Sequence, residues 1–572
     1  MQARGLYFLA LLPLFLPTFS FSYDLTELSD TRAWHQLLHF RDGESEIDSS
    51  NFFLSPKGKT DASAELNATI QALTHDENNV TCRFPARVQW LYATLPELEG
   101  KVPYRACADL ERIIGEYQAS KAVLVFPTAH INSPASMFGH TFLRLDDKKG
   151  LPLTANAINY AAKGEDRFTN GWAFAYKGLF GGYPGRYSVL PYYKKIKEYN
   201  NLERRDMWEY TLDLSEKELE RMLTHLYELK DTTADYFFTS ENCSYNLLWL
   251  LEAARPNLRL VEQFRYKVIP VDTIRALKDA GLIASTDFRP SKTKRIRAVL
   301  KARDSADGTL KEACQAEIDT EILQLKRTKN EIEQKPYIQS LMQLLAKRSK
   351  LPKLPPLDIP RPSDPMTSHK TARVSLAVDS DKGVTLGAKI AFHDIYDVDS
   401  GFTQGAYIDF LHVQLRKERD EDVVIEKLDI VNINSYAARD AIFKPLSWGV
   451  AGGMKQFRGE SYLSLRGEVG VSYALGEDAF VFGMLTPKFY YHDEALFGAG
   501  TKLGMMASFS SMKFGLLGDY TLYTDGEDGI EAEVFGSYML SQEWAFNTKY
   551  TYEKNEDEAD ENRFSLSLFY YF

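Results

Sequence analysis

The chain has 572 residues, 44% of them hydrophobic and 26% charged, with a net charge of -11. That length sets an expectation of about three or four domains, and the composition excludes a largely disordered chain. The acidic balance excludes a generic nucleic-acid binder, which needs a basic face.

In chain order, the first feature is an export signal. Arg4 supplies a short positive start, Leu6–Leu16 an apolar run, and Ser20 and Ser22 the small residues of a cleavage site before Tyr23. The run is shorter than the ~20 apolar residues of a spanning helix, and no later stretch reaches that length. Residues 23–115 then carry apolar positions at helical spacing, in Trp34–Phe40 and in Val88–Leu98, and form an expected helical N-terminal region. An exported chain enters an oxidising compartment, where cysteines pair. Of Cys82, Cys107, Cys243 and Cys314, the first two lie in this region and are the candidate bridge.

Residues 116–285 change character. Ala122–Phe126 is a short apolar run suited to a buried strand, and Thr141–Leu145 alternates like another. Asp206–Leu214 predicts a further strand. Ser215 with Glu218 three positions on predicts a capped helix running through Lys230. A second helix is predicted from Cys243 through Leu251, ended by Pro256. Residues 286–350 mix acidic and basic residues on helix-prone sequence, and prolines between 351 and 366 predict an extended linker.

From 367 to 572 the period becomes two. Val384, Leu386, Ala388 and Ile390 alternate with Thr385, Gly387 and Lys389. Phe514, Leu516 and Tyr520 alternate with Gly515, Leu517 and Asp519. About twelve such segments approach the ~9–11 residues that cross a bilayer as a tilted strand. Lipid forces every backbone polar group to pair internally, so such a sheet must close. An antiparallel transmembrane β-barrel of about 12 strands is therefore expected, with Lys389, Lys502, Lys513, Asp519, Glu531, Glu533 and Lys549 facing a lumen. The final strand, ending on Phe572, resembles the targeting signal of bacterial outer-membrane barrels.

Two segments carry chemistry. Asn132–Leu145 places His140 at a strand edge after a polar turn that contains Ser133, Ser136 and Gly139. Tyr236–Asn246 places Cys243 at the start of an apolar helix. A helix N-terminus favours a thiolate, so a Cys243 pKa below that of a free thiol is expected. A nearby imidazole can take the thiol proton and return it to a leaving group. A third group should hold the imidazole, and Asn159 and Asn156 are candidates. Asn242, Ser133, Ser136 and Arg144 are candidates for substrate or oxyanion contacts, and His130 is an alternative base. No zinc spacing, phosphate loop or dinucleotide turn is present, so neither metal nor cofactor is expected.

These segments, with Asn159–Ala161 and Lys177–Gly185 between them, resemble the Lnb-type N-terminal periplasmic domain family over roughly residues 116–270. Its best-described member is a bacterial lipoprotein acyltransferase that makes lyso-form lipoproteins. The resemblance implies Cys243 as nucleophile and His140 as base in a permuted papain-like α+β domain, a group that includes lecithin retinol acyltransferase and NlpC-type hydrolases. The expected whole is a multidomain α+β protein of the cell envelope. Its N-terminal domains would lie in the periplasm, ahead of a barrel in the cell outer membrane. The expected chemistry is thiol-dependent acyl transfer or hydrolysis through an acyl-Cys intermediate. Outer-membrane lipid is an expected partner, with a lipoprotein or peptidoglycan as substrate. Peptidoglycan amide hydrolysis with the same dyad is one alternative reading. The other is a non-enzymatic transport or scaffold barrel.

Overall fold

The computed structural model describes residues 24–75, 79–98, 102, 104–131, 137–162, 182–419, 422–555 and 560–572. The export signal, Ser133, Ser136 and the Lys177–Gly181 part of the glycine-rich segment lie outside the described residues.

One compact unit comprises residues 1–113 with 224–232. Its helices start where the sequence supplies caps. The Thr31 hydroxyl accepts from Trp34 N–H ahead of Arg32–Leu38, and the Asp61 carboxylate accepts from Ala64 N–H ahead of Ala62–Thr74. Trp34, Phe52, Leu66, Val88 and Leu91 form its buried centre. Arg87 and Glu65 are both buried there and pair at 2.7 Å. The same carboxylate also accepts the backbone N–H groups of Leu54 and Ser55, so its desolvation is offset on several sides. A disulfide joins Cys82 to Cys107, 25 residues apart, with a Cα–Cα distance of 5.0 Å.

The second unit comprises residues 114–223 and 233–572. Its first part is a seven-stranded antiparallel sheet. In spatial order the strands are Ala234–Asp235, Pro184–Pro191, Asn156–Ala162, Phe142–Asp147, Ala119–Pro127, Met207–Leu212 and Ile283–Arg289. The in-out alternation expected at Thr141–Leu145 does not appear, because the residues from Phe142 to Asp146 are all buried. Arg144 is buried there because its guanidinium meets Asp146 at 2.7 Å and Glu209 at 2.5 Å. The helix Glu216–Glu228 carries the full capping box: Ser215 N–H donates to Glu218 at 2.8 Å, and Glu218 N–H donates to the Ser215 hydroxyl at 3.4 Å. Cys243–Ala254 is buried along its whole length, which accounts for its uniform apolarity. The helices Lys292–Asp304, Gly308–Thr328 and Gln334–Ser349 follow, then an extended segment leading to the barrel.

Twelve strands close on themselves. They run from Arg373–Asp379 to Glu561–Tyr571, each antiparallel to both neighbours, and the first pairs with the last through Val374↔Tyr570. A further two-residue strand, Ala438–Arg439, attaches in parallel to Glu460–Ala474. Leu376, Leu386, Ile390, Phe514, Leu516, Val534, Phe546 and Leu566 are exposed on the outer face, as a lipid-facing wall requires. Lys389, Lys502, Lys513 and Glu533 are buried on the inner face.

The lumen is crossed by the loop between Val384–His393 and Ala406–Lys417. The Asp397 carboxylate on that loop accepts from Arg373 at 2.5 Å, from Lys389, and from the Tyr571 hydroxyl at 2.8 Å. Asp399 accepts from Lys513 at 2.8 Å and pairs with His393 at 3.0 Å. Tyr396 donates to Glu533 at 3.0 Å. Two His/Asp groups close enough to hold a metal occur in this network, His369–His393–Asp397 and Asp394–Asp409–His412. Asp394 and Asp397 are already held by Arg373 and Lys389.

Two outcomes follow. Reducing the Cys82–Cys107 bridge, or replacing both cysteines by serine, should lower the unfolding free energy of the N-terminal unit by about 3 kcal/mol in the chain-entropy model. Equal denaturation midpoints with and without the bridge would contradict this. Asp397→Ala leaves Arg373 and Lys389 buried without their shared partner, a loss on the order of 3–5 kcal/mol. The temperature at which the compact barrel band converts to the unfolded band on gels should fall, and an unchanged temperature would contradict the reading.

Candidate active site

His140 lies between the strands Ala119–Pro127 and Phe142–Asp147. Its backbone N–H donates to the Pro127 carbonyl at 3.3 Å. Gly139 makes this approach possible. Its φ is +88°, and a Cβ there would stand 2.4 Å from the Phe126 ring, so a side chain is excluded on both counts. The imidazole sits against Tyr199, with ring centroids 5.4 Å apart. Its Nε2 lies 2.9 Å from Asn159 Oδ1. An amide oxygen only accepts, so Nε2 carries the proton and Nδ1 keeps its lone pair. Of the two asparagines considered, the structure brings Asn159 rather than Asn156 to the ring.

Cys243 is the first residue of its helix. Asn242 caps that helix, its Oδ1 accepting from Ser244 N–H at 3.1 Å, Tyr245 N–H at 3.3 Å and the Ser244 hydroxyl at 2.7 Å. Its Nδ2 donates to the carbonyls of Phe238 and Val268. Every hydrogen-bonding position of the Asn242 side chain is thus used to hold the turn. The expectation that this amide serves an oxyanion is corrected to a positioning role. Arg144 is likewise engaged by Asp146 and Glu209, and stands over the Tyr192 ring at 5.0 Å. It contributes to the sheet rather than to substrate contact. His130 faces Glu203 at 3.8 Å.

Thr141 and the Tyr236 hydroxyl are the groups nearest the Cys243 thiol in their effect on it, and both favour its ionised form. That hydroxyl also accepts from Cys243 N–H at 3.3 Å. Thr141 is the residue after His140, so the loop that carries the imidazole also lines the thiol. Sequence reasoning passed over Thr141 and Tyr236, although both stand inside the two segments it singled out. A buried neighbour contacting a thiol leaves no periodic signal.

Burial decides the protonation states. It pushes the Cys243 thiol above its ordinary value, against the opposing donors Thr141, Tyr236 and Ser244. It also pushes His140 down to about 3, helped by the charges of Lys195 and Arg205 and opposed by Asn159. The expected thiolate is therefore not the resting form. The helix N-terminus is outweighed by desolvation, and the thiol and the imidazole each rest neutral.

Residues 109–280 match the Lnb N-terminal periplasmic domain. The Lnb-type domain so defined contains Cys243, His140, Asn159, Thr141 and Tyr236. Two domains of unknown function flank it, DUF7843 over residues 26–94 and DUF7840 over residues 362–571. No curated protein matches the chain. Among solved structures the barrel resembles the KdgM porin, at 13% identity over 35% of this chain and 99% of that one, with a TM-score of 0.24. It resembles the NanC porin at 9% identity over 35% and 100%, with a TM-score of 0.25. For OmpT, an outer-membrane protein of Vibrio cholerae, the identity is 10% over 36% and 96%, with a TM-score of 0.19. These likenesses are too distant to carry function, and the closed barrel stands on its own strand register. The match to a periplasmic domain family puts that part in the periplasm, and the closed barrel with its exposed apolar wall is of the outer-membrane kind.

If burial governs the thiol, the alkylation rate of Cys243 should be slow at neutral pH. It should rise with a midpoint above the ~8.5 of a free thiol. A midpoint below that value would contradict the neutral resting pair.

Proposed function

We propose that the Lnb-type domain is a thiol acyltransferase or acyl hydrolase held at the periplasmic face of the outer membrane by its barrel. The observation that carries this reading is the Asn159–His140 hydrogen bond at 2.9 Å, with Thr141, the residue after His140, near the thiol of Cys243 at its helix start. It directs the free Nδ1 lone pair of the imidazole away from its holder. His, Asn and Cys in these roles are the set of papain-like thiol enzymes, here with His before Cys in the chain, as a permuted layout requires.

The proposed chemistry follows from the neutral pair. As Sγ attacks an ester carbonyl, the S–H proton passes to His140 Nδ1 and the C–S bond forms. Thr141 N–H is the donor we assign to the oxyanion, since Cys243 N–H is engaged by the Tyr236 hydroxyl. Collapse breaks the C–O bond, and the imidazolium returns its proton to the leaving alkoxide, leaving an acyl-Cys243 thioester. An amine or water then gives a proton to Nδ1 as it attacks the thioester, and the thiol is regenerated by return of that proton to sulfur. Asn159 keeps Nε2 protonated throughout, so one nitrogen alone handles the moving proton. The loop that crosses the lumen favours a barrel that anchors the domain over one that conducts.

The test is the intact mass of purified protein incubated with envelope lipids or with cell-wall fragments. An acyl mass on Cys243 from the lipid pool, absent in Cys243→Ala, is the expected result. A cell-wall adduct instead would move the reading to amide hydrolysis, and no adduct from either pool would overturn it.

A further inference from the structure

The Lnb-type domain does not merely precede the barrel. Met137, Phe138, Ile269 and Val271 form one buried apolar cluster with Ala391, Phe392, Ala406, Ile408 and Ile433 of the barrel. Ala129, Ile131, Val431, Trp448 and Val450 pack around it. Phe138 stacks on Phe410 at 5.7 Å and approaches Phe392 at 5.6 Å.

The side of the wall that takes this contact follows from alternation. Asn434, one residue from Ile433, bonds the Tyr436 hydroxyl, which in turn bonds Glu468 and Lys502 in the lumen. Ile433 and its cross-strand partner Val450 therefore point outward. So does Trp448, which is paired with Val469; Val469 is paired in turn with Leu485. Val469 is 47% exposed and Leu485 59%. The surface under Phe138 is thus continuous, strand by strand, with the bare lipid-facing belt. The domain covers a stretch of wall that acyl chains would otherwise cover.

The covering elements are those that build the site. Phe138 is two residues from His140. Val268, next to Ile269, accepts the Asn242 amide at 2.7 Å, and Asn242 caps the helix of Cys243. Immediately before them stand Arg265 and Tyr266, both exposed, Tyr266 at 89%. Next is Lys267, whose ammonium donates to Thr371 at 2.7 Å and to the Ile390 carbonyl at 2.9 Å. Lys267 ties the segment to the barrel wall, and the exposed Tyr266 beside the exposed Arg265 at an apolar edge is the composition of a membrane interface, with the ring at headgroup depth and the guanidinium toward phosphate.

We infer that the Ala129–Ile131 and Met137–Phe138 edges, with the Arg265–Val271 segment, seat the thiol site in the periplasmic leaflet of the outer membrane. The partner of this surface is the acyl region of that leaflet, and a lipid chain lying along the barrel wall beside Trp448 and Val469 is the group nearest the site. The statement about which chain enters the site rests on the proposed acyl chemistry. The docking itself does not.

The test is depth-dependent quenching in bilayers. A fluorophore is placed on Tyr266→Cys or Ile131→Cys in a Cys243→Ala, Cys314→Ala background, with the full chain in phospholipid nanodiscs whose acyl chains are brominated. Lys149→Cys, at the far end of the strand that follows His140, is the control. Loss of fluorescence at Tyr266 and Ile131, with none at Lys149, is expected. Equal signals at all three positions would overturn the docking. Quenching at Tyr266 and Ile131 in a protein whose intact form never acquires an acyl mass would leave the docking standing and remove only the chemistry. An acylated enzyme with unquenched labels would do the reverse.

Discussion

The Asp397 carboxylate is the contact on which the barrel depends. It reaches Arg373 on the first strand, Lys389 on the second and Tyr571 on the last, so one side chain bridges the seam where the sheet closes. Its own backbone carbonyl accepts from Lys513 at 2.9 Å, which adds a strand from the opposite part of the ring. A lumen lined with charge is stable only if each charge finds a partner, because an isolated ion in a low-dielectric interior costs several kcal/mol. The loop that carries Asp397 and Asp399 meets this condition by bringing acids to the basic residues of the strands. The consequence is a barrel braced from within by the loop that crosses its lumen.

The same desolvation governs the thiol site, with the opposite outcome. In the lumen Asp397 and Asp399 are each met by basic side chains. Around Cys243 the neighbours are Thr141 and Tyr236, and the charges of Lys195 and Arg205 disfavour protonation of His140. Both groups therefore rest neutral. A neutral thiol is slow to alkylate, and in the proposed reaction it would act only when an electrophile arrives to take the electron pair of sulfur. Met137 and Phe138 before His140, and Ile269 and Val271 after Val268, are covered by barrel side chains.

The barrel was legible because a sheet with one apolar and one polar face writes a period of two. Lys389, Lys502, Lys513 and Glu533 could be placed in the lumen because they fall out of phase with the apolar positions. The loop through Asp397 was not legible, since a polar connection outside the membrane has the same composition as one folded inward. In the periplasmic sheet the alternation fails where both faces are covered, which made Arg144 resemble a site residue when it is a buried ion-pair partner. His140 and Cys243 stood out by residue type and local context. Asn159 could be narrowed to its strand, while Asn156 was separable from it only by geometry. The sign of the Cys243 shift was misjudged because a helix start is visible in a sequence and burial of the thiol is not.

Cys243 and His140, each neutral at rest, are proposed to perform the chemistry together, and the pH dependence of thioester formation tests this. With His140 held near 3, its imidazole stays unprotonated across the neutral range. The acylation rate should then show no acid limb near the ~6.5 of an ordinary histidine. A limb near that value, abolished by His140→Ala, would mean that the imidazole is exposed and charged in the working enzyme, and would contradict the account.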